Sequence, residues 1–359
     1  MRYYLLFLAL LLLASSGFQA AQTEMKEPSL VYLTRDISPE GVLRIFKHIA
    51  EPVQGKVAIK VHFGEEGNQN FLPASLVKDL TLELQATLVE TNVLYVSKRR
   101  YTESHIALAR EHGFDFAPID ILDSSTELVI PADLKHFQEV KTGGHLTDYD
   151  SYVIFSHFKG HGMAGFGGAI KNVGMGLASI AGKMALHASS QPDYTPRVCI
   201  ACGSCVTQCP GQAISIEPLV IDPDKCIGCG QCIGVCPVQA FRVPWRSTSS
   251  KVFLERLVEY AKVITSQRPM VYINVLANIA RSCDCVAWSD EPFLSDIGIL
   301  ASTDIVAVEM ASHDLVDQEC GCEDTFLQEN RVSGKNQIDY AFRIGMGNKN
   351  YHIVDIDAE

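Results

Sequence analysis

Eight of the chain's twelve cysteines lie between Cys199 and Cys236, as the motif C-x-x-C-x-x-C-x-x-x-C-P written twice. The first copy is Cys199, Cys202, Cys205 and Cys209-Pro210; the second is Cys226, Cys229, Cys232 and Cys236-Pro237. Three thiolates at this spacing can curl around one cubane 4Fe-4S cluster, while the fourth, followed by a chain-turning Pro, points away and serves the other cluster. The expected ligand sets are therefore Cys199, Cys202, Cys205 and Cys236 for one cluster, and Cys226, Cys229, Cys232 and Cys209 for the second.

The two copies also align outside the ligands, CIACGSCVTQCPGQAI against CIGCGQCIGVCPVQAF, which makes the segment an internal duplication. It resembles a bacterial-type ferredoxin. The small residues Ala201, Gly203, Gly228 and Gly230 let backbone N–H groups approach the sulfurs. Paired C-x-x-C also binds zinc, but two triplets, each with a remote C-P, speak against it, and a disulfide framework fits less well still. With every iron fully ligated by thiolate, the expected role of the clusters is one-electron transfer rather than substrate chemistry.

At 359 residues and 47% hydrophobic, the chain exceeds what one ordinary domain needs. A net charge of −12 argues against nucleic acid or an anionic membrane surface as a partner. It leaves a redox partner protein or a small-molecule substrate. Residues 1–21 open with Met1-Arg2, an apolar run to Ala14 and small residues at Ser15 to Gly17, the pattern of a signal peptide or N-terminal anchor. The run is short for a membrane span. A genuine leader implies export to a periplasmic or extracellular location, or membrane anchoring; without one the protein is cytoplasmic, where clusters are usually inserted.

Before the cysteine unit, short apolar runs at Leu30–Leu33, Lys56–Phe63, Leu88–Val96, Phe116–Leu122 and Asp150–Ser156 alternate with helical periodicity at Pro39–Ala50, Pro73–Gln85 and Glu103–His112. After it come a helix at Lys251–Ser266, strands at Met270–Leu276 and Asp296–Leu300, a helix at Ile305–Val316 and a strand at Tyr351–Ile356. This alternation predicts an α/β fold with a mainly parallel sheet. The expected division is an α/β domain in two halves, 27–194 and 246–359, with a small α+β di-cluster ferredoxin domain, 195–245, inserted between them.

Several further words carry a resemblance: Lys60-Val61-His62-Phe63-Gly64-Glu65, AREHGF from Ala109, HFKGHGMAGFGGAIKNVGMG from His157, Cys283-Asp284-Cys285, and DIGILASTDIVAVE from Asp296. Together they resemble the DUF362 family of iron–sulfur proteins, which implies this architecture and these site positions but no substrate. The stretch from His157 follows a predicted strand, where α/β proteins place ligands. It holds His157, Lys159 and His161 and then seven glycines from Gly160 to Gly176, among them Gly165, Gly167 and Gly168. One reading is an anion cradle of N–H groups at a helix start; the other is a tight turn whose glycines serve close packing.

The string His161, Gly165-Phe166-Gly167-Gly168, Lys171 and His187 is also similar to a region of nickel-pincer lactate racemases. That resemblance implies proton or hydride handling for His161, covalent cofactor attachment for Lys171 and metal ligation for His187. Lys60 and His62 end another strand and are expected to face the same crevice. Cys283 and Cys285 are too close in sequence to close easily on each other, which points to a further metal or to redox reactivity. Cys320 and Cys322 are expected either to add ligands or to pair with the first two, and His105, His112, His145 and His313 to be surface or capping residues.

The leading expectation is an oxidoreductase in which the ferredoxin unit exchanges electrons with a site framed by His62, His157, Lys159, His161 and Lys171. A pure electron carrier with a docking α/β domain and a metal-dependent isomerase are the alternatives. Convergence of His157, His161 and the Cys283/Cys285 tip in one crevice discriminates against the carrier.

Overall fold

The computed structural model describes residues 27–187, 191–245 and 247–358; the expected leader lies outside them. Its centre is an eight-stranded sheet: β1 Ser29–Thr34, β2 Val57–Lys60, β3 Thr87–Glu90, β4 Ile119–Ile121, β5 Ser151–His157, β6 Met270–Leu276, β7 Gly298–Ser302 and β8 Tyr351–Asp355, in the order β8-β1-β7-β6-β5-β2-β3-β4. Five neighbouring pairs are parallel; only β7 runs antiparallel to both of its neighbours. The mainly parallel α/β class is therefore as expected. The antiparallel strand follows from β6 returning beside itself as β7, through the connection that carries Cys283 and Cys285.

The central strands β5 (SYVIFSH) and β6 (MVYINVL) are buried along their whole length, as parallel strands covered on both faces must be. Successive side chains alternate between the two cores. Val153 and Phe155 pack with helices α1 Pro39–Lys47, α2 Ser75–Glu83 and α3 Thr102–Glu111. Tyr152 and Ile154 pack on the other face with α4 Ala169–Gly174, α5 Ile180–His187, α6 Ser250–Thr265, α7 Ile305–Cys320, α8 Thr325–Asn330 and α9 Lys335–Arg343. Local chemistry fixes the helix ends: Ser38 caps α1 on Gly41 N–H at 3.1 Å, and Asp304 caps α7 on Val306 and Ala307 N–H.

Residues 193–242 build two small antiparallel sheets, Asp193–Tyr194 with Phe241–Arg242 and Ile214–Ile216 with Leu219–Ile221, around a separate core of Ile214, Leu219, Ile221, Ile233 and Phe241. Leu94 and Met184 of the α/β body belong to this same core. Two expectations are corrected here. The strand from Leu88 ends at Glu90, because the following residues turn off the sheet toward the cysteine module. His105 and His313 are fully buried rather than superficial. His105 can be buried because Glu90 accepts its ring at 2.9 Å; His313 lies between Phe166 and Phe326 with Asp317 at 3.2 Å. Among the described residues no helix is long and apolar enough to cross a membrane.

Candidate functional site

The carboxyl ends of β2, β3 and β5, together with the connection after β6, surround a cavity of about 460 Å³. Lys60 comes from the end of β2 and Glu90 from the end of β3, with His62 just beyond β2; His157 ends β5 and Lys159 and His161 follow it. Gly167, Gly168, Lys171 and His187 complete the wall from the glycine-rich stretch, and Cys283 and Cys285 face the same space. Gly165 is set back, packed against the backbone of Val332 and Gly334.

A buried charge network lies beneath the floor. Arg99 bonds Glu90 at 2.6 Å and approaches Glu65 at 3.7 Å, while Lys60 reaches Val61 O at 2.6 Å, Asn172 Oδ1 at 2.9 Å and Glu90 at 3.8 Å. Burial pushes Glu90 up, but Arg99 and Lys60 outweigh it and hold the carboxylate well below its usual range. Burial lowers Lys60 to about 7 against the pull of Glu90. Lys183, also buried, bonds Thr91 Oγ1 and, at 2.7 Å, Ala178 O; burial lowers it to about 8.

Lys171 differs from the others. Its ammonium has no hydrogen bond or ion pair among the described residues, and burial together with Lys159 lowers it to about 7. Burial, then Lys171, keeps His161 well below 6.5 and takes His187 to about 3. His62, whose Nδ1 accepts the Gly64 N–H at 3.0 Å, is held far down by burial and Arg99. The cavity thus combines uncharged imidazoles with lysines that titrate near neutrality, in a protein that is acidic as a whole.

The tip Cys283-Asp284-Cys285 is anchored by its middle residue. Asp284 takes His157 Nδ1 at 2.9 Å and Lys159 Nζ at 3.0 Å, while His157 Nε2 lies 2.7 Å from Ala277 O. Burial raises Asp284, and His157 and Lys159 overcome it, leaving the carboxylate well below the ordinary value. The Asp284 carbonyl accepts the Glu65 N–H at 3.0 Å and the Cys285 carbonyl the Tyr95 hydroxyl at 2.8 Å. With Asp284 turned into the body, the flanking cysteines are presented to the cavity. Cys283 and Cys285 are joined by a disulfide, and so are Cys320 and Cys322. This corrects the expectation that neighbours one residue apart would stay open, and it leaves no pairing between the two tips: the turn at Asp284 brings the flanking side chains to the same side. A ring nitrogen of His161 and the two sulfurs of the first pair lie within 4.8 Å of one another.

The helix-start cradle is also corrected. The N–H of Ala169, at the start of α4, is taken by the Glu309 carboxylate, which burial raises to about 7. Gly168 is a glycine because a side chain there would collide with Glu309 and Phe158, and Gly176 because one would collide with Lys60 and the Asn172 carbonyl. At these two positions the glycines serve close packing, whereas Gly162 has open space around it.

In the cysteine module, Cys199, Cys202, Cys205 and Cys236 line one small cavity, and Cys209, Cys226, Cys229 and Cys232 line another. The backbone repeats across the duplication: Ala201 and Gly228, Gly203 and Gly230, and Gln212 and Gln239 all have positive φ. Ala213 N–H points at Cys209 Sγ at 3.3 Å, and Ala240 N–H at Cys236 Sγ at 3.2 Å. These N–H groups and the open left-handed turns suit a group carrying negative sulfur.

Sequence reasoning missed the residues between module and cavity. Leu94 packs against Gly230, and its neighbour Tyr95 holds the Cys285 carbonyl. Arg100 donates to Gly230 O at 3.2 Å, Val93 O at 3.1 Å and Leu94 O at 3.3 Å. Trp245, the last residue of the segment 195–245, lines the cavity against His187 with ring centroids 4.6 Å apart. The run Lys98-Arg99-Arg100 beyond a strand end was the one signal that could have found part of this seam.

The fold and site define an α/β protein with a basic, sulfur-lined cavity at its strand ends and a cysteine-rich module beside it. Within that class the chain belongs to the DUF362 family, a domain of unknown function whose family profile matches residues 57–314. No curated protein matches the chain. Among solved structures it is similar to the lactate racemase apoprotein from Thermoanaerobacterium thermosaccharolyticum, at 12% identity and a TM-score of 0.40 over 80% of this chain and 57% of that one. It is also similar to a crystallised protein from Thermotoga maritima, at 10% identity and a TM-score of 0.41 over 79% of this chain and 59% of that one. The chain covers less than two thirds of either structure.

Proposed function

We propose that the chain is an iron–sulfur oxidoreductase. In this reading a ferredoxin unit, residues 195–245, is inserted between two halves of an α/β domain, 27–194 and 246–359, and exchanges electrons with a small anionic substrate in the cavity. The observation that carries the reading is the division of the eight cysteines into two separate cavities, each lined by one complete set of four. Cys199, Cys202, Cys205 and Cys236 would hold one 4Fe-4S cluster, and Cys209, Cys226, Cys229 and Cys232 the other. When bound, such clusters supply electrons one at a time.

His157, His161, Cys283 and Cys285 share one cavity, which supports an enzyme over a carrier that only docks a partner. Lys171 and Lys183 offer positive charge to a carboxylate or phosphate, and Lys171, titrating near 7, can give or take a proton. His62 and His187, kept uncharged, accept hydrogen bonds without adding charge. Lys60 and Arg99 brace the floor through Glu90.

The first test is anaerobic iron and acid-labile sulfide analysis with EPR. About eight irons per chain, with two interacting paramagnets on reduction, is the expected outcome. Zinc in place of iron, or a single cluster, sinks the reading.

A second reading, a metal-dependent isomerase, is favoured by His161, Lys171 and His187 lining the same cavity, with the Lys171 amine unpartnered among the described residues. Exchange of a substrate carbon-bound hydrogen with solvent, at unchanged cluster oxidation state, would select it over electron transfer.

A further inference from the structure

We propose that His161, Cys283 and Cys285 form a third metal centre, which holds one divalent transition-metal ion when the cysteine pair is reduced and releases it when the disulfide forms. The three donor atoms are already gathered within 4.8 Å of one another on the wall of the cavity. Two thiolates and one imidazole are a borderline-soft donor set suited to zinc, iron, cobalt or nickel. Three protein ligands leave one tetrahedral position open, as catalytic rather than structural metal sites do, and here that position faces the cavity.

The tip is built to present sulfur whatever its oxidation state. Asp284, between the two cysteines, is tied to His157 at 2.9 Å and Lys159 at 3.0 Å, the Asp284 carbonyl to Glu65, and the Cys285 carbonyl to Tyr95. Cys283 accepts two contacts that close the same short turn, the Cys285 N–H pointing at its Sγ at 3.4 Å and the Val286 N–H bonding its carbonyl at 3.2 Å. None of these ties uses the bond between the two sulfurs, so reduction can open that bond while the tip keeps its place.

The step balances. The disulfide takes up two electrons, its S–S bond breaks, and the two thiolates bind the cation with no proton required. In reverse, the thiolates lose two electrons, the S–S bond forms and the cation leaves. Two one-electron clusters match that count, and Leu94-Tyr95 spans the short distance from the Gly230 turn of the module to Cys285. The electron source rests on the proposed function above; metal binding itself needs only a chemical reductant, so the two can fail separately.

The test uses the full chain, isolated anaerobically with its iron, reduced with a phosphine, equilibrated with zinc and desalted over a weak chelator. Zinc, iron and sulfide are then measured per chain. About one zinc is expected in the wild type. It should be lost in Cys283→Ser/Cys285→Ser, bound at least about tenfold more weakly in His161→Gln, retained in Cys320→Ser/Cys322→Ser, and released from the wild type by a thiol oxidant. Iron unchanged across the variants shows that they fold. Equal zinc in the wild type and the Cys283/Cys285 variant, zinc retained after oxidation, or a reduced wild type that binds none while both thiols react with an alkylating agent would overturn the proposal. Loss of iron alone would count against the clusters and not against this site.

Discussion

Cys202 lies exposed on the outer half of the cysteine module, whereas Cys229 and Cys232 of the inner half lie beside a buried guanidinium. The two halves share a backbone: the same left-handed turns recur at Ala201 and Gly228 and at Gln212 and Gln239, and the same N–H contacts reach Cys209 and Cys236. They do not share an environment. The inner half meets Leu94 and Ile180 at Gly230, and Arg100 at Gly234. The Tyr101 hydroxyl also donates to Gly234 O at 2.8 Å. The outer half meets the Ser204 hydroxyl and solvent. A duplication fixes what a sequence repeat can fix, the ligand spacing and the turns, and leaves the docking of each copy to set its charge, exposure and route to the cavity.

Removing a ligand should break this comparison most visibly. Cys229→Ala is expected to remove about half of the iron and to cut the cavity off from an external electron donor, as followed by EPR and by the redox state of Cys283 and Cys285. Cys202→Ala should cost similar iron yet leave the inner centre present and reducible by a small mediator. If the cavity loses its electrons equally in both variants, inner and outer have no functional meaning.

The next effect is on potential. Burial lowers the Arg100 guanidinium while Tyr101, Asp123 and the Cys232 and Cys229 sulfurs act in the opposite sense, but an arginine stays charged. A fixed positive charge beside one set of thiolates favours the reduced cluster and raises its potential. Arg100→Gln should therefore lower the potential of the inner centre alone, by an amount of order a tenfold change in its oxidised-to-reduced ratio, about 59 mV for one electron. Arg100→Lys should recover part of it. Equal shifts at both centres in an EPR redox titration would remove the asymmetry.

Much of this frame was legible in the residues. The cysteine sets follow from ligand spacing, which is a property of a few bonds, and the strand Met270–Leu276 from a run of apolar residues with no competing period. What the sequence could not give depends on distant packing. The antiparallel setting of β7, Glu309 at the start of α4, and Leu94 against Gly230 each join residues far apart in the chain. His105 looked superficial because α3 is polar overall; its burial is permitted by Glu90, contributed from a strand outside the helix. The arrival of Lys183 beside Lys60 and Lys171 was hidden for the same reason, since a helical lysine by itself reads as a solvent residue.

The seam itself should respond more mildly. Leu94 is buried where module and body meet, so Leu94→Ala is expected to cost about 2–5 kcal/mol in a denaturant titration and to slow electron arrival in the cavity without changing the outer centre.

The smoothest effect is that of pH. Burial places Lys60 and Lys171 at about 7 in the folded chain, against 10.5 ordinarily. Between about 7 and 10.5 the unfolded chain holds protons that the folded chain has released, so these two lysines make stability rise with pH across that window and flatten above it. Anion binding in the cavity should run the other way, strong below about 7 where Lys171 is charged and weaker above it. Lys171→Met should flatten the binding profile and remove part of the slope in stability, while leaving both halves of the cysteine module at their wild-type potentials. A shift of the inner potential in that variant would mean that the cavity charge, and not Arg100 alone, separates the two halves.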